Sequence, residues 1–126
     1  MKTLLQCLAA VCFAMPAPSA QAQNWSALLK NAVVEKFGEQ DLQLLMETWN
    51  KALDEAPDNQ TLRWENPATR TRGEITAIRS FAWQDYRCRE LRVQNEAPGR
   101  KGDPVFFNLC RVEERWRLLS HEQLER

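Results

Sequence analysis

The chain has 126 residues, with 17 Lys and Arg set against 17 Asp and Glu and a single histidine. That balance lacks the basic footprint of a nucleic-acid-binding protein. The length allows one domain with one core, burying about 65% of the surface of the unfolded chain.

Residues 1–22 have the three parts of a secretory signal: Lys2, an apolar run from Leu4 to Met15, and small residues leading to Ala20-Gln21-Ala22, after which cleavage is expected. The run falls short of the roughly 20 apolar residues a bilayer span needs, and no later segment approaches it. A soluble, periplasmic mature chain over residues 23–126 is the expectation, with a helical part over 24–56 and a β part over 60–119. Cys7 and Cys12 leave with the signal. Cys12 follows Val11 rather than a small residue, which argues against lipidation there. Losing Lys2 leaves 16 basic against 17 acidic side chains, a formal charge of −1. Arg outnumbers Lys in what remains and lies beyond residue 62, so cross-strand pairing with carboxylates is the plain reading of it.

From Asn24, a capping residue, Trp25, Leu28, Leu29, Ala32, Val33 and Phe37 recur at intervals of three and four. This spacing predicts a helix that Gly38 stops in a left-handed conformation. Leu42, Leu45, Met46, Trp49, Leu53 and Ala56 repeat the pattern, with Asp41 as N-cap and Pro57 as terminator. Each helix presents one apolar stripe, so Trp25, Met46 and Trp49 read as core anchors.

Beyond Pro57-Asp58-Asn59 the period changes to two. Thr61–Glu65 alternates Leu62 and Trp64 with Arg63 and Glu65. After the Asn66–Gly73 turn, Glu74–Gln84 reads as a longer strand with Ile75, Ala77, Phe81 and Trp83 on one face, interrupted by Arg79, and Ile78 on the other. Tyr86–Glu96 and Val105–Val112 follow, joined by a Pro98–Asp103 turn. Arg115–Leu119 is a last short strand before a polar, frayed end. Five strands without an intervening helix predict an antiparallel meander. Two helices preceding it predict an α+β fold in which they cover one face of the sheet. A small open β-barrel is the alternative.

Two cysteines remain in the mature chain, Cys88 and Cys110. In an oxidising compartment such a pair bridges. Closing a loop of this length stabilises a domain by about 3 kcal/mol. Neither cysteine stands in the C-x-x-C setting of a redox centre.

Leu53-Asp54-Glu55-Ala56-Pro57, Trp64-Glu65-Asn66-Pro67, Gly73, Tyr86-Arg87-Cys88-Arg89-Glu90, Cys110-Arg111 and Trp116 occur in that order. The series resembles the C-terminal domain of the 17 kDa outer-membrane surface antigens of Gram-negative bacteria, over roughly residues 41–118. The resemblance implies an envelope protein with a structural or binding role and no catalysis. The chain departs from that pattern in lacking a good lipobox and the glycine-rich membrane segment. Glu113-Glu114 also replaces the Asp-Gly turn before the closing Trp, which predicts a looser last hairpin.

No constellation of residues specifies a reaction. A serine triad would need His121, and neither Ser80 nor Ser120 lies in a G-x-S-x-G turn. One histidine and a bridged cysteine pair do not make a zinc site, and no spacing singles out a carboxylate dyad. Asn24-Trp25-Ser26 and Asn59-Gln60-Thr61 match a glycosylation pattern that has no bearing in a bacterial periplasm. Arg87, Arg89 and Arg111 beside the cysteines form the candidate anion-binding set for phosphate or carboxylate groups of outer-leaflet lipid or cell-wall peptides. The expected function is association with an envelope protein, lipid or peptidoglycan, with no cofactor. The alternative is a soluble inhibitor of a wall-degrading or proteolytic enzyme.

Overall fold

The computed structural model describes residues 33–124. The signal segment, Asn24 and most of the first expected helix lie outside them. The described end of that helix is a 3-10 turn, Val34–Lys36, whose Phe37 turns extended. Gly38 is extended rather than left-handed, at φ −81° and ψ 177°. The chain therefore passes from the turn into the main helix, α1 (Glu39–Asp54), without reversing.

Asp41 is not the N-cap. It occupies the third position of α1 and reaches back, its Oδ2 accepting the Gly38 N–H at 3.0 Å. This occupies one of the four amides that a helix start leaves without an internal partner. The stripe expected from the sequence is the packed one, with Leu45, Trp49, Ala52 and Leu53 buried.

An open antiparallel sheet lies under α1. Its strands are β1 (Thr61–Asn66), β2 (Thr71–Trp83), β3 (Tyr86–Ala97), β4 (Arg100–Lys101), β5 (Val105–Val112) and β6 (Arg115–Leu119). They run in the order β1-β2-β3-β5-β6, with β4 paired to the end of β3. The edges β1 and β6 do not pair with each other, so the alternative barrel does not form. The Pro98–Asp103 turn contains β4, which pairs back on Glu96 and Ala97, while Gly102 N–H donates to Asn95 O.

The core lies between α1 and one sheet face. Leu45, Trp49 and Leu53 meet Trp64, Ile75, Leu91, Val93, Phe107 and Leu109 there. Trp49 meets Phe107 edge to face at 5.2 Å, and Phe37 meets Trp64 at 5.4 Å, separations at which aromatic pairs contribute beyond their burial.

The four apolar residues of β2 do not share a face. Register slips between Ala77 and Arg79, where Ala77 pairs with Leu91 and Arg79 with Glu90. The extra residue, Ile78, is a bulge, and past it the alternation inverts. Ile75 and Ala77 face the helix, whereas Phe81, opposite Cys88, and Trp83, opposite Tyr86, belong to the outer face.

The last hairpin is tight rather than loose. Val112 pairs with Arg115 directly across a two-residue turn in which Glu113 and Glu114 have φ of 51° and 65°. Gln84 and Asp85 turn the β2–β3 hairpin in the same way, at 48° and 64°. Beyond β6 the expected frayed end is a single turn, α2 (His121–Leu124), closed by Ser120 and Gln123 and docked by Trp83, whose Nε1 donates to Gln123 O at 3.1 Å.

Candidate functional site

Along β3 the residues Arg87, Arg89, Leu91 and Val93 share the helix-facing side, whereas Cys88 and Glu90 face outward. Arg89 is 2% exposed and lies under the end of α1. Its Nη1 donates to Ala52 O at 2.6 Å and to Leu53 O at 3.2 Å. Its Nη2 donates to Ala56 O at 2.6 Å and to Asp58 Oδ1 at 3.0 Å. One cation thus takes up carbonyls that the helix end leaves without internal donors. Asp58 also accepts from Ser80 Oγ at 2.8 Å. That bond first, and Arg89 second, hold its carboxyl below the usual aspartate range.

Asp41 does the corresponding work at the other end. It is 1% exposed, and its Oδ1 accepts from Asn66 Nδ2 at 2.6 Å, Thr69 Oγ1 at 2.7 Å and Thr71 Oγ1 at 2.6 Å. Burial opposes its charge. The hydrogen bonds from Thr71, Thr69, Gly38 and Asn66 together outweigh that penalty, and its pKa lies below the ordinary value. The Asn66–Arg70 turn is thereby tied to the start of the helix.

The disulfide joins β3 to β5 on the opposite face. Cys88 and Cys110 are directly paired, with Cα atoms 4.0 Å apart, and both are fully buried. Phe81 flanks Cys88 on β2, and Arg117 flanks Cys110 on β6.

Of the three arginines singled out in the sequence, Arg89 therefore separates from the other two. Arg89 is committed to the helix end and is not part of an open anion cluster. Arg111 is half exposed, with Nη1 3.8 Å from Asp54 Oδ1. Arg87 is exposed and makes no ion pair among the described residues. A signal for the burial of Arg89 was present in its parity with Leu91 and Val93. Asp41 likewise lies four residues before Leu45 and eight before Trp49, on the apolar stripe.

Elsewhere on the outer face, cations and carboxylates pair with each other. A groove of about 420 Å³ over β1, β2 and β3 is lined by Arg63, Glu65, Arg72, Glu74, Glu96 and Lys101, among others. Arg63–Glu74 at 2.9 Å, Arg72–Glu96 at 2.7 Å and Lys101–Glu96 at 3.8 Å cross it. Exposed pairs of this kind contribute about 0–1 kcal/mol each. No group of three or more His, Cys, Asp or Glu placed to hold a metal occurs among the described residues. No helix among them is long and apolar enough to cross a membrane.

No family model, curated protein or solved structure matches this chain.

Proposed function

We propose that the chain is an exported cell-envelope protein of the surface-antigen type, periplasmic or held at the outer membrane, that works by association with an envelope partner and not by turnover. One observation carries this reading: scattered residues on which the resemblance rests make the contacts that tie the helix to the sheet at both of its ends. Ala56 accepts from Arg89 of the Cys-Arg strand at 2.6 Å. Asn66 of the Trp-x-Asn-Pro turn donates to Asp41 at 2.6 Å. The closing Trp116 donates through Nε1 to Asp54 Oδ1 at 2.8 Å. Motif residues that hold a fold together in this way support membership of a structural family better than a run of isolated matches does. The buried disulfide adds to it, being a bond that an oxidising compartment sustains.

The test is fractionation of the exporting cell, together with a pull-down from periplasm and envelope using the oxidised mature protein. The expected result is recovery with the envelope pellet and capture of a protein, lipid or peptidoglycan component. Recovery wholly in the soluble fraction with nothing captured would remove the reading. Capture of a wall-degrading or proteolytic enzyme, with stoichiometric loss of its activity, would replace it with that of an inhibitor.

A further inference from the structure

The last register pair of β3 and β5 is Cys88 with Cys110; continued by one step, that register sets Arg87 across from Arg111. The cysteine pair is the narrow kind, with Cα atoms 4.0 Å apart. The next pair is therefore the wide kind, about 5.5 Å between Cα atoms. Arg87 and Arg111 thus occupy the same, helix-bearing face of the sheet on neighbouring strands, beside the end of α1. Like charges directly opposite one another on a sheet are destabilising.

Among the described residues, what surrounds them leaves the charge only partly answered. On β2, Ala82 is paired with Arg87 and provides a low floor. On β6, Trp116 is paired with Arg111 and provides a wall. The Asp54 carboxylate already accepts the Trp116 indole N–H at 2.8 Å and stands 3.8 Å from Arg111, at a distance where its hydrogen bonding goes to the indole. Arg89, the third cation of the strip, is committed beneath the helix through both of its Nη atoms.

We propose that Arg87 and Arg111 form an anion-binding site for a phosphate group, seated on the Ala82 floor against Trp116. A phosphate has enough acceptor oxygens to engage two guanidinium forks at once, and two arginines across a strand pair match such a group better than a single carboxylate. The proposal deepens the association reading by naming the chemistry recognised. The source is a phospholipid headgroup or a free phosphate ester, and the site treats the two alike.

The experiment uses the oxidised mature protein with two probes: inorganic phosphate, and vesicles of phosphatidylglycerol in phosphatidylcholine. Arginine Nε resonances are followed by NMR during the phosphate titration, and vesicle binding is read by sedimentation. Arg87→Gln and Arg111→Gln are compared with Arg117→Gln, which lies on the opposite face, after thermal melts show that all three fold. Phosphate should shift the Arg87 and Arg111 resonances, and each of those two variants should weaken binding by about tenfold or more, the loss of one charge-assisted contact set, while Arg117→Gln should not. Loss of vesicle binding in the same two variants assigns the lipid source; loss confined to inorganic phosphate assigns the free ester. Absence of shifts at both arginines, or equal weakening by Arg117→Gln, overturns the site. Envelope association that survives both substitutions removes the site and leaves the association reading standing, whereas phosphate binding by a protein absent from the envelope pellet does the reverse.

Discussion

The guanidinium of Arg89 donates to the Ala56 carbonyl at 2.6 Å, so the strand that carries the disulfide also closes the helix packed above it. Removing that guanidinium would leave the Ala52, Leu53 and Ala56 carbonyls without that donor and the Asp58 carboxylate with Ser80 alone. Arg89→Ala is expected to cost about 2–4 kcal/mol, since each buried acceptor left without a donor costs about 1–3 kcal/mol. Arg89→Lys should recover only part of this, because a point charge cannot serve both ends of the carbonyl fan. Urea midpoints of the two variants decide it; a loss below about 1 kcal/mol for the alanine variant would show the contact to be dispensable.

Acid should unlock the same clasp. Asp41 and Asp58 have folded pKa values below the ordinary aspartate value, near 3.9 in the unfolded chain. Their contribution to stability is therefore complete above that value and is lost as pH falls through the lower folded values. Denaturation midpoints should hold steady from pH 7 to about 5 and then fall below about 4. Asp41→Asn should be less stable at neutral pH and show a shallower fall in acid. An unchanged slope in that variant would mean that Asp41 does not carry the effect.

Gly73 tests a close approach. A Cβ built there would sit within contact distance of Trp64 Nε1 and Asn95 Oδ1, two buried groups that hydrogen-bond to nothing among the described residues. Both belong to packed walls, so neither gives way cheaply. Gly73→Ala should destabilise by about 1–3 kcal/mol, the usual cost of overpacking, and shift the Trp64 indole resonance. A melting temperature equal to the parent's would show the site to be looser than it looks.

The Glu113-Glu114 turn makes the opposite prediction. Both residues hold left-handed backbone, which costs a side-chain-bearing residue about 1 kcal/mol or more. Asn at 113 and Gly at 114 suit that geometry. The double substitution should raise stability by about 1 kcal/mol and leave the β5–β6 register unchanged by NMR. Any destabilisation would mean that the glutamates make contacts worth more than their strain.

Much of this fold was legible in the sequence because apolar period carries it. Leu45, Trp49 and Leu53 marked the helix seam, and Leu62 and Trp64 marked the inner face of the first strand. The bulge at Ile78 was not legible as such, because Ile75, Ala77, Phe81 and Trp83 have the same parity and Arg79 reads only as an interruption of their shared face. What the pattern could not say is that the second pair leaves the core for the disulfide face. The Arg set was found as residues but misjudged as a group. A periodicity scan treats charge as a mark of solvent, while Arg89 and Asp41 are charges placed on apolar positions. Their partners are backbone carbonyls, side-chain hydroxyls and an amide from distant segments, which no local spacing encodes.

The two ends of α1 are held by groups of opposite sign, a buried anion where the helix begins and a buried cation where it stops. Each sign is the one that offsets the field of aligned peptide dipoles at that terminus. A helix laid down in reverse would set like against like at both poles, so the arrangement fixes polarity as well as position and counts against the mirrored topology. The seam between the poles is then freer to drift among similar aliphatic side chains, since orientation is written at the termini and not along the middle.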